Sequence, residues 1–160
     1  MADVPGYRVL KRRRAVSIEW IDRFRNIPVA NISDCLNRLT SFGPRIRPYH
    51  ASGVLCGPAI TMRSRPGDNL MVHAALTIAE RGDVIVVDAG GDLTNSIVGE
   101  RMMFKAQSRG VAGFVINGAV RDLEWIRKND FPVFGAGVNH RGPYKTGSGE
   151  INVPSRSKVR

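Results

Sequence analysis

Residues 83–122 of this chain read DVIVVDAGGDLTNSIVGERMMFKAQSRGVAGFVINGAVRD, and their rhythm decides the fold. Val84–Val87 is a continuous apolar run between two aspartates, the composition of a strand covered on both faces. Val98 to Arg109 carries apolar residues at helical spacing and stops at Gly110, and Val111 to Ile116 is a second run of strand length. Upstream, Leu70–Ala79 predicts a helix that closes on Arg81-Gly82. Downstream, Asp122–Lys128 predicts a short helix and Pro132-Val133-Phe134 a third strand. Strand, helix, strand, helix, strand with right-handed crossovers is the βαβαβ core of a parallel sheet in an α/β protein.

Towards the N-terminus, Ser17 is placed to cap a helix through Arg25, with Ile18, Trp20, Ile21 and Phe24 on its apolar side. Ser33-Asp34, followed by Cys35, Leu36 and Leu39, predicts the start of a second helix with Asp34 in a capping role. Residues 41–51 read as a loop. Val54-Leu55 and Ala59–Met62 read as strands punctuated by Gly57-Pro58.

The whole chain has 160 residues, enough for one domain with a real core, and its apolar fraction of 42% is that of a globular protein. The formal net charge is +10. Residues 1–14 and 141–160 each hold five basic and one acidic side chain, so the excess lies at the two ends and not on a nucleic-acid-reading surface. With one tyrosine at each end, Tyr7 and Tyr144, the aromatic residues among these cations make no stacking platform. The apolar runs fall short of a membrane span, and Lys11–Arg14 is followed by no apolar signal core, so a cytoplasmic protein is expected. Cys35 and Cys56 have no metal-ligand spacing and read as reduced thiols. The expected organisation is a basic arm and helix over 1–27, the domain proper over 28–153, and a basic tail over 154–160.

Candidate chemistry concentrates in two places. Gly90-Gly91 follows the first strand of the core, where parallel sheets place ligands, but paired glycines also serve a plain turn. There is neither a GxGxxG nor a GxxxxGK[ST] pattern to support nicotinamide or ATP binding, nor a Gly-x-Ser-x-Gly elbow for a serine nucleophile. The stronger set is Glu100, twenty intervening residues, then Arg121-Asp122. Glu100 opens a helix and Arg121-Asp122 follows the return strand, so the fold is expected to bring them to one sheet edge. Two carboxylates and one guanidinium beside a helix start suit a divalent metal and an anionic substrate. Gly99 there allows close approach to the backbone, and the N–H groups of Arg101 and Met102 are placed to cradle a carboxylate. Asp122 also has a purely structural reading, as the N-cap of the helix that follows it. His73 reads as a core or interface histidine, and His50 and His140 have no partner at metal spacing.

Ile32–Leu36, Gly57-Pro58-Ala59, Gly82–Asp88, Gly99-Glu100, Gly110–Gly113 and Asn117–Asp122 occur in order. Together they resemble the RraA-like family, which includes the 4-hydroxy-4-methyl-2-oxoglutarate aldolases and the regulator of ribonuclease E activity. The resemblance covers roughly residues 28–153, and Gly118-Ala119-Val120-Arg121-Asp122 is its most specific part. It implies a swivelling β/β/α domain assembled as trimers or hexamers with sites at subunit interfaces. It further implies a class II pyruvate aldolase in which Asp122 binds Mg²⁺ or Mn²⁺ and Arg121 binds the pyruvyl substrate and its enolate. Glu100 orients or deprotonates water, and the Gly99–Met102 backbone holds the 2-oxo acid. Oxaloacetate decarboxylation belongs to the same implied chemistry; Arg101 departs from the family, where its position is often apolar, and adds a positive charge that favours dicarboxylates. Chains of this family continue past Pro154 into strands that lend a further acidic residue to a neighbouring subunit. The family also supplies an alternative, a non-catalytic protein that binds and inhibits an RNA-processing enzyme. A methyltransferase label given to such chains finds no glycine-rich S-adenosylmethionine loop here.

Overall fold

The computed structural model describes residues 6–153. The basic tail over 154–160 and the first five residues lie outside them. The elements run β1 (Tyr7–Val9), α1 (Ile18–Arg25), α2 (Val29–Cys35), β2 (Arg47–Pro48), β3 (Ala59–Ser64), α3 (Leu70–Ile78) and β4 (Val84–Asp88). They continue with β5 (Ser96–Val98), α4 (Glu100–Ser108), β6 (Gly113–Val120), α5 (Leu123–Lys128), β7 (Val133–Val138) and β8 (Gly149–Ile151).

The parallel core is β3-β4-β6-β7, in chain order across the sheet; β4, β6 and β7 are the strands of the βαβαβ unit that the rhythm of apolar runs predicts, and β3 extends it by one. Because the crossovers step in one direction, their helices share one face. There Ile60, Ile85, Val87, Phe114 and Ile116 meet Val72, Leu76, Met103 and Ile126 in a single apolar cluster. Short strands complete the edges: β8 is antiparallel to β3, β1 is parallel to β8, β2 is antiparallel to β7, and β5 pairs with β6. The arm is thus not merely solvated. Tyr7–Val9 joins the sheet, and Arg12 pairs with the buried Asp83 and with Glu80.

Four local expectations need correction. The second helix starts at Val29, four residues before the expected Ser33, and ends at Cys35, because Pro28 sets its start and Asn37 and Arg38 turn to positive φ just after it. Asp34 accordingly caps nothing and instead pairs with Arg38 at 2.9 Å. Val54-Leu55 forms no strand. Val98 belongs to β5 rather than to the helix, and β6 runs four residues past Ile116. Gly118 allows that extension, because a Cβ there would lie 3.1 Å from Ala89 Cβ and 3.2 Å from Ile97 Cγ1.

The second face of the sheet is also less covered than the run Val84–Val87 implies. Val86 and Val115 are half-buried and face a cavity beneath α2 and the loop after it. Among the described residues no helix is long and apolar enough to cross a membrane.

Candidate active site

The helix and its return strand bring the two halves of the predicted site together. β5 delivers the chain to Gly99, which is extended (φ −146°), and α4 begins at Glu100 with Met102, Met103 and Ala106 facing the core. β6 returns alongside, its end held by the Arg121 N–H donating to the Val98 carbonyl at 3.1 Å. One carboxylate oxygen of Asp122, Oδ2, then accepts a 2.7 Å hydrogen bond from the Glu100 backbone N–H.

Asp122 therefore occupies the N-cap position of α5 without capping it. It adopts the left-handed conformation, φ 61° and ψ 47°, and sends its side chain across to the start of α4. A left-handed conformation is costly for a residue with a Cβ and least so for Asn and Asp. A charge-assisted hydrogen bond at the positive end of a helix offsets that cost. Its other oxygen, Oδ1, has no hydrogen-bond partner among the described residues.

Arg121 lies beside it. Its Nε is 3.5 Å from Asp122 Oδ2, an ion-pair distance. That Nε is nevertheless buried and makes no hydrogen bond. Its Nη1 donates to the His140 carbonyl at 3.4 Å. The Asp122 carboxylate beside it offsets the missing hydrogen bond by charge, and leaves the Nη end of the guanidinium at the open side of the site.

Gly99 proves to be more than an open backbone. A Cβ on it would stand 2.5 Å from Asp122 Oδ2, 2.7 Å from Arg121 Nε and 2.9 Å from Arg121 Cγ. The glycine lets Arg121 and Asp122 pack onto the start of α4. The Met102 N–H donates to the Gly99 carbonyl at 3.0 Å, as does the Met103 N–H, so of the two expected cradle amides that of Arg101 stays open. The Glu100 and Arg101 side chains are exposed at the rim.

The segment after β7 was missed by the sequence reading, which stops that strand at Phe134. Asn139 Nδ2 donates to the Leu93 carbonyl at 2.8 Å, and Ser96 N–H donates to the Arg141 carbonyl at 2.8 Å. These bonds pin residues 139–142 against the loop before β5, which holds the His140 carbonyl at Arg121. The signal was present in Asn139-His140-Arg141-Gly142, a polar, glycine-ended loop after a sheet strand.

A hard cation is the group the family resemblance implies here. Among the described residues no three acidic, histidine or cysteine side chains cluster as a closed metal cage. Mg²⁺, however, usually keeps most of its water and takes one or two carboxylates. The open Oδ1 of Asp122, with the Glu100 side chain on the first residue of α4, fits that mode. His73 is no part of this site. It sits on α3, with an Nε2 that has no partner, and its pKa is lowered by burial first and then by Lys145 and Lys105.

A parallel sheet with its crossover helices on one face, carrying an acidic residue, an Arg-Asp pair and an open helix start at its C-terminal edge, places the chain among the α/β domains. Within that class the chain belongs to the RraA-like family, whose model, described as Aldolase/RraA, matches residues 29–157. It is 43% identical over 137 residues to a Halalkalibacterium halodurans protein named "Putative 4-hydroxy-4-methyl-2-oxoglutarate aldolase". That match covers 86% of this chain and 65% of the relative, so the chain spans just under two thirds of that relative's length. A Burkholderia multivorans protein of the same name is 37% identical, over 69% of this chain and 67% of its own. Among solved structures, the RNA-processing inhibitor RraA from Thermus thermophilis superposes with a TM-score of 0.74 at 26% identity. It covers 83% of this chain and 80% of its own.

Proposed function

We propose that the protein is a lyase that cleaves or decarboxylates small 2-oxo acids through a pyruvate enolate, working with Mg²⁺ or Mn²⁺ held by Asp122. The observation that carries this reading is the part-exposed Arg121–Asp122 ion pair, 3.5 Å apart, packed at the open start of α4. The names of the relatives support the aldolase class. The cation would supply Lewis acidity toward the 2-oxo group.

The chain's own residues divide the remaining work. Arg121 offers the Nη end of its guanidinium, which is held by one long bond to the His140 carbonyl, to a substrate carboxylate or 2-oxo oxygen, where negative charge grows as the C–C bond breaks. The Arg101 N–H, with the partial positive charge of the α4 start behind it, binds the other end of the same anion. The Glu100 carboxylate, solvent-exposed at the rim, exchanges a proton with water at the departing or protonating carbon. Asp122 keeps Arg121 from rotating away while it holds the Glu100 backbone. Substrates of the 4-hydroxy-4-methyl-2-oxoglutarate type and oxaloacetate both meet these requirements. The site is expected to be completed in a homotrimer or hexamer of the chain.

Pyruvate release from each of these acids, with Mg²⁺ and then with excess chelator, tests the reading. Metal-dependent release that disappears in Arg121→Ala is the expected result, and equal release by that variant would overturn it. The likeness to the Thermus inhibitor favours a second reading, in which the chain binds and inhibits an RNA-processing enzyme. That reading predicts inhibition of ribonuclease activity that Arg121→Ala leaves intact.

A further inference from the structure

The half-open face of the sheet holds a second candidate site. A cavity of about 920 Å³ lies between β3, β4 and β6 on one side and α2 with the loop after it on the other. Its volume falls within the roughly 300–1,000 Å³ of small-molecule pockets. None of its lining residues belongs to the Glu100–Arg121–Asp122 site.

Its chemistry is ordered along the strands. Arg63, Asp88 and Asn117 stand in register, near the C-terminal ends of β3 and β4 and in the middle of β6. Thr61, Val86 and Val115 form the next, largely apolar row on the same face. Above them, Val29, Leu39, Phe42 and Ile46 make an apolar wall, of which Leu39 is 81% and Phe42 69% exposed.

Both acids of the cavity are committed. Asp88 Oδ1 accepts from Asn117 Nδ2 at 3.0 Å and from the Gly90 N–H at 3.1 Å, while Oδ2 faces Arg63 at 3.9 Å. Glu150 pairs with Arg8 at 2.7 Å. Arg45 is the cation of the lining with no acidic partner among the described residues. Its Nη2 donates to the Gly91 carbonyl at 2.7 Å, an uncharged acceptor. A Cβ on Gly91 would lie 2.9 Å from Arg45 Nη1, and Gly90 and Gly91 both have positive φ. The paired glycines therefore let the Arg45 guanidinium lie on the turn at the cavity rim, with N–H groups to spare.

An apolar chamber with one uncompensated guanidinium at its rim selects for an anionic head on an apolar body. We propose that this cavity binds an amphipathic monocarboxylate, its carboxylate on Arg45 and its aliphatic or aromatic body against Leu39, Phe42 and Val115.

Isothermal titration of the full chain with 4-phenylbutanoate, and with 4-phenylbutylamine as the cationic counterpart, tests this. The acid is expected to bind and the amine not. Loss of a charged hydrogen-bond partner in Arg45→Gln should weaken the acid about tenfold or more. Phe42→Ala should weaken it too, and Arg121→Ala should leave it unchanged. Thermal melts of each variant separate lost binding from lost folding, and competing pairs of variants with unchanged melts are compared. Equal binding of the amine, unchanged affinity in a folded Arg45→Gln, or loss of binding in Arg121→Ala would overturn the proposal.

Discussion

Gly99→Ala is the sharpest perturbation of the candidate site, because it adds one methyl group and nothing else. The backbone at Gly99 is extended, φ −146° and ψ −176°, so alanine meets no conformational penalty there. All of the effect must come from the new Cβ, which would sit 2.5 Å from Asp122 Oδ2 and 2.7 Å from Arg121 Nε. Contacts that short cannot persist, so the carboxylate, the guanidinium or both must move by the better part of an ångström. The Glu100 N–H to Asp122 bond, now 2.7 Å, is the first to stretch. A hydrogen bond to a charged group contributes about 1.5–3 kcal/mol, and crowding of this kind costs about 1–3 kcal/mol. Stability should therefore fall by about 2 kcal/mol, and a misplacement near 1 Å should lower pyruvate release on the order of 100-fold. Thermal melts and steady-state kcat/KM on oxaloacetate read the two effects. The double variant Gly99→Ala/Asp122→Ala should recover much of the lost stability, since the clashing oxygen is gone, but none of the activity. A Gly99→Ala protein with wild-type stability and turnover would refute the reasoning, because it would mean that Arg121 and Asp122 have room that the geometry denies them.

Asp122→Asn keeps an acceptor for the Glu100 N–H but removes the charge, so it should cost about 1 kcal/mol or less of stability, read by denaturant titration, while Mg²⁺ dependence and turnover are lost. Arg12→Ala strips a cation from Asp83, which is 1% exposed. Removing one partner of such a pair destabilises by about 3 kcal/mol, and Arg12→Ala/Asp83→Asn should recover part of that loss in urea unfolding. His73 has a pKa lowered by burial and by two lysines, so the unfolded chain takes up a proton that the folded chain resists. Stability from this group is present above pH 6.5, the ordinary histidine value, and is lost as pH falls below it; His73→Gln should flatten the decline in melting temperature between pH 7 and pH 5.

The parallel core was legible because its strands are buried. Val84–Val87 and Phe114–Ile116 are long enough for an apolar run to be seen, and each precedes or follows a helix with a glycine stop. The three-residue strands β1, β5 and β8 were not legible, since three residues carry no period of their own and their pairing is set by distant partners. Val98 was absorbed into a helix for the same reason, as it continues the apolar pattern of α4. The convergence of Glu100 with Arg121-Asp122 followed from helix-and-return geometry alone. The left-handed turn at Asp122 did not, because it answers to a hydrogen bond across 22 residues rather than to the local sequence. Nor did the wall built by residues 139–142, which is tied to the site by loop-to-loop bonds that leave no periodic trace.

The central claim is that Arg121, Asp122 and Glu100 form an enolate-stabilising site, and proton exchange tests it without knowledge of the natural substrate. Pyruvate in D₂O with Mg²⁺ and the protein, followed by proton NMR, should lose its methyl signal to deuterium well above the uncatalysed rate. That loss should vanish in Arg121→Ala and in Asp122→Ala. Exchange at the background rate in the wild-type protein, or undiminished exchange in either variant, would contradict the account.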